Sequence, residues 1–167
     1  MWKSLNLVRV IETLLAITFL VLFDQCMKIF ISKIMLKNGF EDMQLLPFLN
    51  IVFVRNTGVS FGMFSEWGIL GRYFFSIFSI VVGCFLILLA IFSDKKVFRI
   101  SLGLISSGAL GNAIDRVYFG GVIDFIDFFI YNFHWPAFNF ADIFITLGVI
   151  MLILLELFKT KKYNEKI

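Results

Sequence analysis

Four long apolar stretches dominate the chain, at about residues 10–31, 69–92, 97–114 and 140–158. Each approaches the roughly 20 apolar residues that a helix needs to cross the hydrocarbon core of a membrane. The second stretch is the most uniform, because no charged side chain occurs from Tyr73 to Phe92. This pattern predicts an all-α integral membrane protein whose four transmembrane helices form a single domain over residues 1–167.

The segments between the spans carry shorter signals. Residues 48–54 are rich in β-branched and aromatic side chains, which predicts a short strand that ends near Asn56. Residues 59–67 are apolar and aromatic, so we expect them to lie along the membrane surface. Residues 115–139, which include the apolar run 122–131, are expected to return over the surface as strand and loop. The helices should therefore be accompanied by a small extracytoplasmic β-element and a surface-lying segment.

Composition and charge support a membrane location and give it an orientation. The chain is 60% hydrophobic and 16% charged, with a mean hydropathy of +0.93, which is outside the range of soluble domains. Nine of its 15 basic residues lie before residue 10, in the connector 93–99, or after residue 158. Basic residues in short loops mark the cytoplasmic side, so both termini should be cytoplasmic. Lys33, Lys37 and Arg55 lie on the opposite side and weaken this prediction.

The few polar residues of the spans converge on one end of the predicted bundle. Asp24 lies in the outward half of the first span, Asn112 ends the third, and Asp142 begins the fourth. An ionisable side chain near hydrocarbon is costly and therefore indicates a functional site. Small residues, whose spacing allows another helix to approach closely, lead along the third span to this polar end: Gly103, Ser107 and Gly111.

Two carboxyl groups are the strongest candidates for chemistry. Asp142 lies at the start of a hydrophobic span, and Asp124 lies between Ile123 and Phe125. A carboxylate in such surroundings is driven to hold a proton or to find a partner. A pair that shares one proton can activate water and protonate a leaving amine. Asp127 rivals Asp124 for this role, and the sequence leaves it equally open as a solvated loop acid.

Other polar residues allow ordinary structural roles beside functional ones. Asp24 and Lys28 are four residues apart on one helix, with the acid first, which favours an intrahelical ion pair. Asn56 and Gly58 are also typical of a turn, because both tolerate positive φ. Each of these residues therefore has both a structural and a functional interpretation.

The remaining reactive residues form no recognisable centre. Asp115 and Arg116 are adjacent at a helix end and can form an ordinary ion pair. His134 is the only histidine, with no second ligand at metal-binding spacing, and neither Cys26 nor Cys84 belongs to a redox or metal motif. We therefore expect no metal and no Ser/His/Asp triad.

Five short motifs occur in a fixed order along the chain. They are Asp24-Gln25-x-x-Lys28, Asn56-Thr57-Gly58-Val59-Ser60-Phe61-Gly62, Gly111-Asn112-x-x-Asp115-Arg116, Val122-Ile123-Asp124-Phe125 and Phe138-Asn139-Phe140-Ala141-Asp142. In this order, within four predicted spans, they resemble the motifs of bacterial lipoprotein signal peptidase, also called signal peptidase II. The resemblance covers about residues 20–150. Met27 and Ser60 depart from the family's frequent Thr and Ala, and neither belongs to the acid pair.

The resemblance implies a membrane aspartic endopeptidase with Asp124 and Asp142 as its catalytic pair. The implied substrate is a prolipoprotein whose cysteine carries diacylglycerol, cut just before that cysteine. The enzyme would lie in the bacterial cytoplasmic (inner) membrane with its site near the outer face. We expect a monomer in contact with membrane lipid, without cofactor, metal or nucleic-acid partner. The implied supporting or substrate-binding residues are Asp24, Lys28, Asn56, Gly58, Asn112, Asp115, Arg116 and Asn139.

Two other classes of protein fit parts of the pattern. A proton- or ion-coupled carrier also buries acids, but carriers usually place them near the membrane midplane at a repeat interface. The acids here cluster at one edge and the sequence has no internal repeat. A non-enzymatic membrane scaffold leaves the clustering of acids and amides unexplained.

Overall fold

A computed structural model describes residues 6–58 and 68–164, with side chains described as far as Lys159. The segment expected to lie along the membrane surface, 59–67, is outside these residues. Within them the elements follow in this order: α1 (Leu7–Lys37), β1 (Met43–Leu46), β2 (Leu49–Asn56), α2 (Gly68–Ile91), α3 (Lys96–Phe119), β3 (Val122–Ile130), β4 (Phe133–His134) and α4 (Phe140–Asn164).

The helices have the length and hydropathy of membrane spans, as the apolar pattern predicts. α3 lies at the centre of the bundle, because each of the other three helices packs most extensively against it. In the most apolar part of α3, 56% of the residues are buried inside the protein. The corresponding share is 22% or less in each of the other three helices. Large apolar side chains on α1, α2 and α4 face outward, including Phe19, Phe85 and Leu157. These faces are suited to contact with lipid.

The central position of α3 explains why it is the least apolar of the four spans. Its buried Ser106 and Ser107 donate their hydroxyl hydrogens to backbone carbonyls of the preceding turn, at Gly103 and Leu104. A small polar side chain satisfied in this way lies against protein without an unpaired donor. The helix therefore combines a low hydropathy with the most deeply buried surface of the four spans.

Glycines of α3 bring two neighbouring helices close to its backbone. A Cβ atom at Gly111 would lie 2.7 Å from Asp24 Oδ2 of α1. A Cβ atom at Gly108 would lie 2.2 Å from the Ala141 carbonyl oxygen of α4. Since real Cβ contacts are longer, only glycine allows α1 and α4 to approach this closely. The close approach brings polar side chains of three helices together at one end of the bundle.

The β-element is larger than the short strand and loop that the sequence predicts. Its strands are antiparallel in the order β1-β2-β3-β4. The pairing of β2 with β3 places Asn50 beside Asp127 and Val54 beside Asp124, with an irregular register between Ile51 and Val54. The sheet packs on the end of α1, where Phe125 joins a small apolar core with Ile31 and Met35.

Two arginines satisfy carbonyl groups at the C-terminal end of α3. Arg72 Nε donates to the Arg116 carbonyl oxygen at 2.6 Å, and its guanidinium also bonds the Val117 carbonyl. Arg55 bonds the Phe119 carbonyl. Cations stabilise a helix C-terminus, so Arg55, which weakens the charge-based orientation, has a local structural role at this end.

Candidate functional site

The last helix begins with a reciprocal hydrogen-bonded cap that fixes one of the candidate acids. Asn139 Oδ1 accepts a hydrogen bond from the Asp142 backbone N–H at 3.0 Å. In return, Asp142 Oδ2 accepts one from the Asn139 backbone N–H at 3.2 Å. This is the geometry of a capping box. It holds the Asp142 side chain in a defined orientation in the first turn of α4, where the helix dipole favours negative charge.

Two asparagine amides connect this acid to the other. Asn112 Nδ2, on α3, donates to Asp142 Oδ1 at 2.8 Å. Asn139 Nδ2 donates to Asn112 Oδ1 at 3.2 Å and to Asp124 Oδ1 at 2.7 Å. Both asparagines are buried. The amide network therefore sets the orientation of Asp124 and Asp142 relative to each other.

The end of β2 supplies the second contact to Asp124. Asn56 Nδ2 donates to Asp124 Oδ2 at 3.2 Å, and Asn56 Oδ1 accepts from the Gly58 backbone N–H at 3.1 Å. The predicted turn is therefore present, and the same asparagine also contacts the candidate acid. Arg116 extends the link, because its Nη2 donates to the Gly58 carbonyl oxygen at 3.2 Å.

A buried ionic cluster adjoins the amide network, because Lys28 Nζ donates to Asn112 Oδ1 at 3.1 Å. Lys28 Nζ is 2.8 Å from Asp24 Oδ2 and 2.7 Å from Asp115 Oδ2. The predicted intrahelical pair of Asp24 and Lys28 is thus confirmed. The predicted pair of Asp115 with Arg116 is wrong, because Asp115 turns instead to Lys28 and to the Ile123 backbone N–H.

The cluster also joins the ends of the helices. Asp24 Oδ1 accepts from the Ala141 backbone N–H at 2.9 Å, which satisfies one of the free donors at the start of α4. Gln25 Nε2 donates to the Gly111 carbonyl oxygen at 3.1 Å and to Asp115 Oδ1 at 2.9 Å. Gln25 belongs to the first of the five sequence motifs, but no role follows for it from the sequence alone. The only sequence feature that indicates a role is its position directly after Asp24.

Both candidate acids line one cavity of about 1050 Å³. Asn56, Asn112 and Arg116 contribute polar groups to its wall, and residues 135–138 form another part of the wall. Most of the remaining wall is apolar and comes mainly from α2, α3 and α4. The cavity therefore offers two carboxyl groups at the edge of a largely hydrophobic space. Such a space suits a substrate that is itself mostly apolar.

Burial changes the acidity of Asp124, which lies on β3 outside the membrane-spanning helices. Burial is the larger cause, and the neighbouring Asp142 carboxylate the second, of a rise in the pKa of Asp124 from 3.8 to about 7. Hydrogen bonds from Asn56 and Asn139 oppose the rise. Asp124 can therefore hold a proton near neutral pH.

The raised pKa predicts a pH-dependent gain in stability for Asp124→Asn. The pKa of Asp124 in the folded protein is above that of the free acid. The contribution of protonated Asp124 to the stability of the wild-type fold is therefore complete below about pH 4 and is lost as the pH rises through 7. A shift of about three units at about 1.36 kcal/mol each sets a ceiling of roughly 4 kcal/mol. Melting temperatures of the purified protein in detergent at pH 5 and pH 8 measure the effect.

The melting temperature of Asp124→Asn relative to wild type should rise between the two pH values. Any cost of the substitution that does not depend on pH cancels in this comparison. Asp42→Asn, which removes an exposed carboxyl group, is the matched control. An identical difference between variant and wild type at pH 5 and pH 8 would contradict the raised pKa.

Asp127 and His134 form a pair that the sequence interpretation missed. Asp127 Oδ2 is 2.8 Å from His134 Nδ1 and accepts from Asn50 Nδ2 at 3.0 Å. Asp127 is buried, so its interpretation as a solvated loop acid is wrong, and His134 does have an acidic partner. The hairpin between β3 and β4 brings the two residues together. Asp127 is absent from the cavity wall formed by the described residues, which separates it from Asp124.

The structure brings the predicted site residues to one end of the bundle. Asp24, Lys28 and Asp115 form the ionic cluster, and the other predicted residues lie in the amide network or line the cavity. No group of three or more His, Cys, Asp or Glu side chains within residues 6–58 and 68–159 could hold a metal ion.

The fold and the site together define a multi-pass membrane protein with a buried acidic centre, and solved structures share this architecture. Two structures described as bacterial membrane enzymes superpose on the chain with TM-scores of 0.75 and 0.73. Their sequence identities are 32% and 35%, and the superpositions cover 97% and 94% of this chain and 95% and 97% of theirs. The likeness extends over nearly the whole molecule.

Sequence comparison identifies the family. The family model described as signal peptidase (SPase) II matches residues 16–158. The lipoprotein signal peptidase of Pelagibacter ubique is 39% identical over 167 residues, which cover 98% of this chain and 99% of that protein. That of Thermodesulfovibrio yellowstonii is 43% identical over 145 residues, covering 87% and 94%. The chain belongs to the signal peptidase II family and is a membrane-bound peptidase.

Proposed function

We propose that this chain is an aspartic endopeptidase that removes the signal peptide from diacylglyceryl-modified prolipoproteins by cutting just before the lipidated cysteine. Family membership supports signal-peptide removal from prolipoproteins. The observation that carries the catalytic assignment is the single cavity lined by both Asp124 and Asp142. The amide network supports it, because it gives each carboxyl group a fixed orientation.

The two acids have different surroundings, which supports a division of labour. Asp142 accepts hydrogen bonds from Asn112 and from the Asn139 backbone in the first turn of α4, so both of its oxygens act as acceptors in this arrangement. Asp124 has a raised pKa of about 7 and can hold the shared proton. We therefore assign Asp142 as the initial base and Asp124 as the initial acid.

The reaction then proceeds in two balanced steps. Asp142 takes a proton from water as the water oxygen bonds to the scissile carbonyl carbon, and Asp124 gives its proton to the carbonyl oxygen. In the second step the C–N bond breaks, Asp142 returns its proton to the leaving amine, and Asp124 recovers one from a hydroxyl of the intermediate. The products are a new carboxyl group and the free amine of the cysteine, and both acids regain their starting states.

Substrate position follows from the surroundings of the cavity. Its apolar wall, between helices α2, α3 and α4, suits a hydrophobic signal segment and acyl chains, while the acids lie at the polar edge. We assign the working unit to one copy of the chain, acting as a single domain, because every site group described comes from one copy. No step requires a cofactor.

The carrier alternative is not favoured. A carrier places its ionisable groups near the membrane midplane. Here Asp142 lies in the first turn of its helix, and Asp124 lies on a strand beyond the end of α3. Family membership also supports a peptidase.

Incubation of the purified protein with a diacylglyceryl-modified precursor tests the proposal. Mass spectrometry should show one new N-terminus, at the lipidated cysteine. Absence of this product from folded protein, together with proton flux in liposomes, would support a carrier instead.

We propose that both termini are cytoplasmic and that the acids lie near the outer face. The concentration of basic residues at the termini and in the connector 93–99 supports this orientation. Reporter fusions after Lys96 and at Lys162 should report the cytoplasm, and a fusion after Gly39 should report the exterior. An exterior signal after Lys96 would reverse the orientation.

A further inference from the structure

Lys28 is a fully buried cation whose hydrogen-bonding capacity is completely used. Its side chain is 1% exposed and contacts Asp24 Oδ2, Asp115 Oδ2 and Asn112 Oδ1 at 2.8, 2.7 and 3.1 Å. An ammonium group has three N–H donors and accepts no hydrogen bond. Each donor therefore has one acceptor. Two of these acceptors belong to the ionic cluster, and the third, Asn112, contacts the proposed catalytic pair.

The contact with Lys28 determines which way the Asn112 amide faces. An asparagine amide has an oxygen that accepts and a nitrogen that donates, and the two ends are similar in shape. Because Lys28 only donates, the oxygen of Asn112 must face it. The nitrogen must then face Asp142 Oδ1, to which it donates at 2.8 Å. A reversed amide would oppose its oxygen to the Asp142 carboxylate and its N–H groups to the ammonium.

The same constraint extends to the next amide. Asn139 Nδ2 also donates to Asn112 Oδ1, and it donates to Asp124 Oδ1. The oxygen of Asn139 is therefore left to accept from the Asp142 backbone N–H, which completes the helix cap. Lys28 thus fixes the direction of the Asn112 amide, and the Asp142 backbone N–H, which can only donate, fixes that of Asn139. Each amide then presents its N–H groups to a carboxyl group.

We propose that Lys28 is a positioning residue that, by occupying the Asn112 oxygen, holds the Asn112 amide so that it donates to Asp142 and keeps Asp142 oriented as the base. Lys28 acts through Asn112 and does not touch the cavity as described. This inference rests on the proposed function, since it assigns a catalytic consequence to the network. It differs from a purely structural role, in which the ion pairs with Asp24 and Asp115 would be its whole contribution.

The charges around Lys28 dictate the design of the test. Asp24 lies on its own helix, Asp115 and Arg116 lie on α3, Asp142 lies on α4, and Asp124 lies on β3. Removing Lys28 alone leaves two buried carboxylates without their cation, which is strongly destabilising. The double variant Lys28→Met/Asp24→Asn removes one positive and one negative charge together. It therefore keeps the net charge of the cluster while freeing the Asn112 amide.

The expected result is a loss of kcat that the Asn112 amide accounts for. An amide that is free to turn no longer holds the base in its productive orientation, so kcat of the double variant should fall on the order of tenfold with little change in KM. Adding Asn112→Ala to the double variant should lower kcat little further, because both changes remove the same positioning contact. A purely structural defect would instead add its own loss to the loss caused by Asn112→Ala.

Asp24→Asn alone is the matched control, because it retains the bond from Lys28 to Asn112. In the Asp24→Asn background, Asn112→Ala should therefore lower kcat by the same factor as it does in wild type. The isotope-edited infrared band of asparagine side-chain carbonyls provides a second readout without substrate, so it is independent of whether the chain cleaves prolipoproteins. An unmoved carbonyl band in the folded double variant, together with fully additive losses from the double variant and Asn112→Ala, would overturn the assignment of Lys28.

Discussion

Asp124→Asn is expected to lower cleavage of a diacylglyceryl-modified precursor by roughly a thousandfold or more. The asparagine keeps the size of the side chain but cannot supply the proton that the raised pKa retains on Asp124. Asp142→Asn should cause a loss of similar size, because it removes the base. Product formation over time, measured with excess enzyme, gives the rate even for a very slow variant.

Asp127→Asn is the matched control for this prediction. Asp127 lies on the same strand, is also buried, and carries the same functional group, but it contacts Asn50 and His134. This variant should retain substantial cleavage. All three variants should be folded, which a cooperative melting transition in detergent checks. If Asp127→Asn were nearly inactive while Asp124→Asn remained active, the catalytic role would move to Asp127.

Removal of the lipid from the substrate should have the second large effect, a decrease on the order of a hundredfold in kcat/KM. Acyl chains contribute about 0.8 kcal/mol of membrane binding per buried methylene. They should hold the cysteine at the depth of Asp124 and Asp142, and remote binding energy of this kind can position the scissile bond. The comparison uses one precursor sequence with and without the diacylglyceryl group.

Membrane binding itself must be held constant in that experiment. Both precursors should be reconstituted at equal occupancy in the same liposomes, so that only recognition by the enzyme differs. A precursor whose cysteine is replaced by serine provides a further unmodified control. Equal cleavage of modified and unmodified precursors under these conditions would show that the enzyme does not recognise the lipid.

Hydropathy and spacing predict much of this molecule because the membrane imposes strong rules on sequence. Long apolar runs define the four helices, and costly acids such as Asp142 stand out against them. The ion pair of Asp24 and Lys28 follows from helical periodicity alone. These features depend on local sequence, so one chain without structural context reveals them.

Contacts that depend on tertiary packing are not accessible in the same way. The pairing of Asp115 with Lys28, and of Asp127 with His134, requires knowledge of which helix or strand faces which. The full sheet also depends on register, because its edge strands β1 and β4 are only four and two residues long. The direction of the Asn112 amide depends on three other side chains. No periodicity in the sequence encodes such an arrangement.

The reciprocal cap at Asn139 has a consequence for how the protein matures in the cell. The residues that start the last helix are also the ones that orient Asp142 and Asp124. This helix is the last of the four to be synthesised, so an incompletely inserted chain lacks both the cap and the arrangement of acids. Proteolytic competence is thereby tied to completion of membrane insertion. No nascent form of the chain that lacks this helix contains the proposed site.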